Sequence, residues 1–383
     1  MNITMTKKHI LKKRMVKNMS KATILLINEN KAYIMPEIEN WMSPCGEGLK
    51  IISYYLINGI DRVTDLYNIN YSILKKEYLI TDEYDKYIEK PVTNNVIDYC
   101  ISSDYIYAIN NTDSDIDYVN TKEKKCLFKR NSLTIYDLKT SYNIERKNEY
   151  RVVLKDEEIK TFERALDFYS RLQMGQYDHM TWGFGVYAQN KVIDREFVNS
   201  LLLAIRKMAM PNITGSLSNQ IHGSLSITSP KVNINGRLSY EILKTIMHNR
   251  SYTEHPEGGN TVNFNEPLSV SNYPFPENET KKENKSIVST TVFKDYHLES
   301  VLNSLDVYCC YLSLDLKAMF SYVTNNSIAL SLANTLSCYL FSGFDINTMN
   351  HFIEINDVRG IIINQIVGYD LFKTIWGQKY EKR

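Results

Sequence analysis

The chain lacks paired cysteines, a long apolar run and an excess of either charge. Its six cysteines, Cys45, Cys100, Cys126, Cys309, Cys310 and Cys338, are scattered and form no Cys-x-x-Cys pair. That spacing argues against a treble-clef or ribbon zinc site and fits reduced thiols in a cytoplasmic protein, here the cytoplasm of a host cell if the chain is viral. No uninterrupted apolar run of about 18 residues occurs, so neither a spanning helix nor a membrane partner is expected. Forty-five basic side chains against 44 acidic ones leave a formal charge of +1. No global field then steers the whole molecule onto nucleic acid or anionic lipid. A P-loop Lys-Ser/Thr and a GxGxxG fingerprint are missing too, and no Ser-His-Asp or Cys-His set can be ordered. The local exception is residues 1–20, MNITMTKKHILKKRMVKNMS, with six Lys/Arg and no acid. This reads as a flexible basic leader, the only route by which nucleic acid is expected to be reached. Met1 and Met19 both stay open as starts.

What is present is enough for ordinary cores. A length of 383 residues, 43% of them hydrophobic, suggests about two or three domains. The expected fold class is α+β, with two small mixed modules followed by a mainly helical C-terminal region. The modules are placed at 21–144, 155–277 and 287–383. KATILLI and KAYIMPEI read as two short strands around a polar Asn-Glu-Asn turn. Leu49, Ile52, Leu56 and Ile60 start a helix at the Gly46/Gly48 turn, and that turn is a weak candidate for an anion. Residues 61–90 read as polar and helical. NVIDYCI, IDYVN and SLTIYDL read as strands, and KKCLFKRN connects the last two. The charged stretch 145–158 is expected to link modules. Helices are expected from Ile159 to Gly175, over VNSLLLAIRKMAM and over 238–250. GSLSNQIHGSLSITSPKV is expected as loop and strand, and ENETKKENKS at 277–286 as a linker. IVSTTVF follows as a strand, then two or three helices.

Three places could carry chemistry. In NNTDSDIDY, Asp113, Asp115 and Asp117 alternate, so on an extended chain they project to one side. They read as a solvated acidic turn, as a weak divalent-cation loop, or as the Asp-x-Asp of a nucleotidyltransferase. In that last case Asp115 and Asp117 would be catalytic and would hold magnesium, the one cofactor any reading implies. Ser102-Ser103 then stands where that superfamily carries Gly-Ser, and the missing glycine weakens it. The second place is RALDFYSRLQMGQYDHM, residues 164–180. Ile159, Phe162, Leu166, Tyr169 and Leu172 form an apolar stripe, Arg164 and Arg171 share another face, and Gly175 stops the helix. Gln176 follows the stop. His179-Met-Thr181 and His222-Gly-Ser224 also echo the paired His-x-Ser/Thr strands of two-histidine phosphoesterases. The third place is Arg250, His255 and Glu257 around Gly258-Gly259. It reads as a phosphate clasp or as an arginine capping its own helix.

Two resemblances bear on these places. ERALDFYSRLQMGQ resembles the opening helix of a family of small bacteriophage proteins. The likeness continues through SPKVNINGRLSYEILKTIMHNRSYTEHPEGGNTVNFNEPLSVSNYPFP, with a comparable helix, a Pro-Glu-Gly-Gly turn and a closing Ser-x-x-Pro-x-Pro. It covers about 155–277. His179 and Thr181 depart from it, lying where that family tends to carry acidic residues and more helix. The N-terminal part is more loosely similar to another small phage family, through MSPCGEGLKII, DIDY and LTIY. Together the resemblances imply a phage accessory protein built from fused modules. The functional expectation is a non-catalytic factor that binds a host protein or a nucleotide-like, phosphate-bearing small molecule, in the sense of counter-defence. The expected ligand contacts are Arg164, Arg171, Gln176, Arg250, His255, Gly258 and Gly259. The alternatives are the nucleotidyltransferase and a virion or assembly component. An oligomer is left open.

Overall fold

A computed structural model describes residues 20–29, 31–35, 37–39, 48–60, 88–91, 103–119, 125–136, 141–180, 194–257, 267–283, 286–340 and 346–368. The chain is α+β, with mixed sheet-and-helix parts followed by mainly helical C-terminal elements. It divides into two compact units, 1–147 with 367–383, and 148–366. Among the described residues no helix is long and apolar enough to cross a membrane.

The first unit is built on β1 (Lys21–Asn28), β2 (Lys31–Ile34), β3 (Ile38–Glu39), α1 (Gly48–Asn58), β4 (Ile88–Pro91), β5 (Tyr105–Asn110), β6 (Ile116–Val119), β7 (Lys125–Phe128), β8 (Ser132–Tyr136) and β9 (Ser141–Glu145). The main sheet runs β4-β2-β1-β5-β8-β9, with β3 also on β1. Only the β1–β5 pair is parallel. Residues 22–27 of β1 are all buried, as a central strand covered on both faces requires. Phe128 and Ile116, from the β6–β7 hairpin, pack on the face that carries Leu25, Ile27, Ile106 and Ala108. Helix α1 buries Ile51, Ile52, Tyr55 and Leu56. Arg146 closes its C-terminal end by donating to the Leu56 and Ile57 carbonyls, each at 3.2 Å, where a cation also meets the negative end of the helix dipole. The helix expected at the glycine turn is therefore present. Residues 40–47 and 61–87, and the strand expected at NVIDYCI, lie outside the described residues. The polar stretch expected to be helical up to residue 90 ends instead in strand β4.

The second unit contains β10 (Glu149–Lys155), α2 (Asp156–Met174), α3 (Arg195–Ala209), α4 (Ile234–Glu254), β11 (Glu277–Glu283), β12 (Ser286–Lys294), α5 (Asp295–Leu312), α6 (Leu316–Ser321), α7 (Ser327–Leu340) and α8 (Ile346–Val367). The strands form an antiparallel sheet in the order β10-β12-β11. Helices α2, α4 and α5 pack against one another, and α7 packs on α3 and α6. Two stretches expected to link modules are therefore sheet. Residues 149–155 alternate exposed and buried, with Tyr150, Val152 and Leu154 inward. ENETKKE is polar because it is a charged edge strand, a common way of discouraging edge-to-edge pairing; its register on β12 runs from Glu277–Val292 to Glu283–Ser286. GSLSNQIHGSLSITSPKV has no strand at all. Its alternation is loop, with a short 3-10 turn at Gly215–Asn219. SIALSLANTLSCYL, the described part of the apolar stretch expected to be buried, is helical but not fully buried. Ala329, Ala333, Leu336 and Leu340 face inward, and Ile328 is 59% exposed.

Strand β10 with α2, and β12 with α5, are two copies of one unit. Lys155-Asp156 starts α2, and Lys294-Asp295 starts α5. Leu166-Asp167-Phe168-Tyr169 recurs at the same spacing as Leu305-Asp306-Val307-Tyr308. Each helix start is closed by the third helical side chain reaching back to the preceding amide. Glu158 accepts from Lys155 N at 2.7 Å, and His297 Nδ1 from Lys294 N at 3.2 Å, the backward arm of a capping box. Each stops at a left-handed residue in the matching position, Gly175 at φ 86° and Leu314 at φ 59°. The two strands pair about Val152 and Thr291, which occupy equivalent places in the repeat. The register is that of a local two-fold between β10 and β12.

Small residues let the helices approach. Ser239 of α4 and Ser304 of α5 meet at 3.0 Å with no exposed surface on either. A Cβ on Gly236 would stand 2.6 Å from the Gln173 Cβ of α2. The closing Ser-x-x-Pro-x-Pro stretch is held by buried Glu241. Its carboxylate accepts from Val270 N at 2.6 Å, Ser271 N at 2.7 Å and Ser271 Oγ at 2.6 Å.

Candidate functional site

The C-terminal end of α2 gathers the one polar cluster that unites several of the expected ligand contacts. Three acidic residues in the first turn and Arg171 in the last suit the dipole of α2. Gly175 then turns the chain so that Gln176 and His179 fold back beside Arg171. The Arg171 Nε donates to Asp167 Oδ2 at 2.7 Å. Its Nη1 donates to Gln176 Oε1 at 3.0 Å and to His179 Nε2 at 2.9 Å. The second guanidinium nitrogen, Nη2, has no partner among the described residues. Gln176 Nε2 reaches Ser224 Oγ at 3.2 Å. The cluster is half-buried, with the Arg171 side chain 33% exposed, so it is braced and still reachable from solvent.

Its electrostatics follow from that geometry. A guanidinium cannot accept a hydrogen bond, so the Nε2 of His179 carries no proton while it faces Arg171. Burial lowers the imidazole pKa, and the Arg171 charge lowers it further, against the opposing pull of Asp178 and Asp167. Tyr240 of α4 lies near the same charges; burial raises its phenol and Arg171 partly offsets this.

Arg206 of α3 shapes the wall behind the cluster. It is 1% exposed. Its Nη1 donates to the Leu217 carbonyl at 2.9 Å and to the Gln220 carbonyl, and its Nη2 to the Gly223 carbonyl. A Cβ on Gly223 would collide with the Leu217 carbonyl, so this turn needs glycine. The loop is also tied to the end of α2, by Tyr177 N to the Ile221 carbonyl and Leu225 N to the Met174 carbonyl, at 3.1 and 3.0 Å. Ser224 is thereby set against Gln176.

The repeat supplies an internal comparison. Asp306 stands where Asp167 does, and Cys310 where Arg171 does. Asp306 is paired with Arg359 of α8, with both side chains largely buried, and Tyr322 Oη donates to it at 3.2 Å. The second half thus closes this position with an internal ion pair, while the first keeps an arginine whose Nη2 has no partner among the described residues. Burial pushes the neighbouring Cys309 thiol up to about 12, in keeping with its expected place in a core.

The other expected residues are placed differently. Arg250 does not join the cluster. It forms a two-pronged pair with Glu163, Nε to Oε1 at 3.1 Å and Nη2 to Oε2 at 2.7 Å, and so bolts α4 to α2. Burial raises the Glu163 carboxyl more than Arg250 lowers it. Arg164 is exposed and 4.0 Å from Glu354; it shares a helix with Arg171 without sharing a site. His255 is exposed, 3.7 Å from Glu257. Gly258, Gly259 and Thr181 lie outside the described residues. His179 sits in a single helical turn and His222 in a loop, so the two-strand arrangement of a two-histidine phosphoesterase is not formed.

In the first unit, Asp115 Oδ1 accepts from Arg130 N at 2.9 Å and so pins the turn after β5 to the β7–β8 turn. Asp113 is exposed, and the Asp117 side chain lies outside the described residues. Ser103 is buried between Thr23 and Glu37, at 2.7 and 2.8 Å. Among the described residues no group of three or more His, Cys, Asp or Glu is placed to hold a metal ion. Sequence reasoning missed Asp167, Arg206, Glu163 and Tyr240. The spacing of Asp167 and Arg171, one helical turn apart, was a readable signal for the first. Compared with protein-family models, curated proteins and solved structures, the chain matches none of them.

Proposed function

We propose that the chain is a non-catalytic bacteriophage accessory protein that binds a phosphate-bearing small molecule at the Arg171–Gln176–His179–Ser224 cluster. One observation carries this reading: Arg171 is fixed by three acceptors, yet its Nη2 has no partner among the described residues, at a half-buried position. A planar fork held in this way is well suited to an oxyanion, because little side-chain entropy remains to be lost on binding. The phage setting and the counter-defence role rest on the resemblance over 155–277. Calorimetric titration of the full chain with inorganic phosphate and with nucleoside mono-, di- and triphosphates tests the binding. Binding is expected, and Arg171→Ala should weaken it at least tenfold. The side chain is partly exposed, so the same change should cost about 1 kcal/mol of stability or less. Equal affinity in that variant, or no binding of any of these compounds, refutes the reading.

A further inference from the structure

We infer that the outer edge of β10 is a docking site for β10 of a second copy of this chain, held shut by Gln365 of α8. The repeat points to the seat. On the side away from β10, β12 carries β11, with Glu277 opposite Val292. Val153 is the residue of β10 that corresponds to Val292, and among the described residues no strand lies beyond it. A side chain takes that place. Gln365 Oε1 accepts from Val153 N at 2.6 Å, and Gln365 Nε2 donates to the Val153 carbonyl at 2.8 Å. One amide thus meets the strand as a residue of an antiparallel neighbour would. The ion pairs of α8 with other elements go to helices, Arg359 to Asp306 of α5 and Glu354 to Arg164 of α2.

The strand's own residues choose the occupant and its register. Glu149, Arg151, Val153 and Lys155 share the exposed face of β10. A two-fold at Val152 would set Glu149 of each copy opposite Lys155 of the other, and Arg151 opposite Val153. Moving the axis by one residue either way sets Arg151 against itself or against Lys155, and like charges oppose both. An edge that matches itself in one register suits a symmetric pair of strands. In that register Val153 of each copy bonds to Arg151 of the other, so Gln365 must leave. The copies lose as many hydrogen bonds to Gln365 as these pairs return, and association costs freedom of motion besides. The closed monomer therefore wins while Gln365 is present, as it does at other guarded sheet edges.

The test is sedimentation velocity of the full chain over a range of concentrations, with circular dichroism to check the fold of each variant. The parent should stay monomeric where Gln365→Ala forms a dimer, with association stronger by about tenfold or more. Gln365→Glu keeps the stem but cannot donate to the Val153 carbonyl, and should shift the same way by a smaller factor; it carries the comparison if Gln365→Ala does not fold. Added to the associating variant, Glu149→Lys or Lys155→Glu alone should weaken the dimer about tenfold, and the two together should restore it. Restoration is the decisive sign, because Glu149 also pairs with Lys294 within the chain. A parent that is already dimeric, folded Gln365 variants that stay monomeric, or a dimer indifferent to the single charge reversals overturns the inference.

Discussion

His297 is expected to make the second unit lose stability as pH falls from about 6.5 to 4. The ring has no exposed surface and lies among Phe293 and Tyr296. Its Nδ1 must stay unprotonated to accept from Lys294 N. The Pro274 carbonyl lies near enough to favour the charged ring somewhat, yet Nε2 makes no hydrogen bond of acceptable geometry. Burial dominates and depresses the pKa from 6.5 to about 4. The unfolded chain therefore binds the proton first. Stability is complete above the ordinary value and drains away as pH falls toward the folded one. Between pH 7.5 and 4.5 the loss is about 2.5 kcal/mol, or roughly 5–10 °C in unfolding midpoint for a unit of this size. Glu163, whose carboxyl is raised, contributes with the opposite sign, so the comparison must be with a variant. His297→Gln can keep the backward capping contact and does not titrate. Denaturant unfolding of both proteins at the two pH values measures the difference. If His297→Gln loses as much as the parent, or if the His297 ring titrates near 6.5 by NMR, the reasoning is wrong.

Two further outcomes concern the scaffold. Glu241→Ala should cost about 2–4 kcal/mol, because it strips the acceptor from two backbone amides of which one is fully buried; residues 267–276 should then become a protease-sensitive stretch, and unchanged cleavage kinetics would count against the role given to Glu241. Glu163→Ala should cost about 3–5 kcal/mol by stranding Arg250, whereas Glu163→Leu with Arg250→Leu should recover most of that. Unfolding midpoints decide it, and a neutral single substitution would contradict the pair's role.

Local order was legible where one segment's own pattern sufficed. The apolar run in KATILLI, which is buried on both faces, and the stripe from Ile159 to Leu172 with its glycine stop at 175 are each local signals within one piece of chain. The polar stretches at 145–158 and 277–286 were misleading for a physical reason. A strand with one solvated face, or one at a sheet edge, has the composition of a linker, and only its neighbour shows that its amides are paired. GSLSNQIHGSLSITSPKV misled in the other direction, because a loop folded around buried Arg206 can alternate without being a strand. The repeat was written in the sequence, as LKD with ALDFY and FKD with SLDVY, but it is sparse enough to need the matching caps and the shared sheet to stand out.

The sequence by itself determined the α+β class, the presence of the helices before and after Gly175 with the glycine stop between them, and the arginine and glutamine that flank Gly175. Those properties depend on periodicity and on backbone preferences within a turn or two. Tertiary structure alone decided that residues 148–366 close as one unit and that Arg250 is tied to Glu163 while Arg171 gathers Asp167, Gln176 and His179. Ion pairs and strand partners join residues tens to hundreds of positions apart, and nothing local to either partner states which of several equivalent charges it will meet.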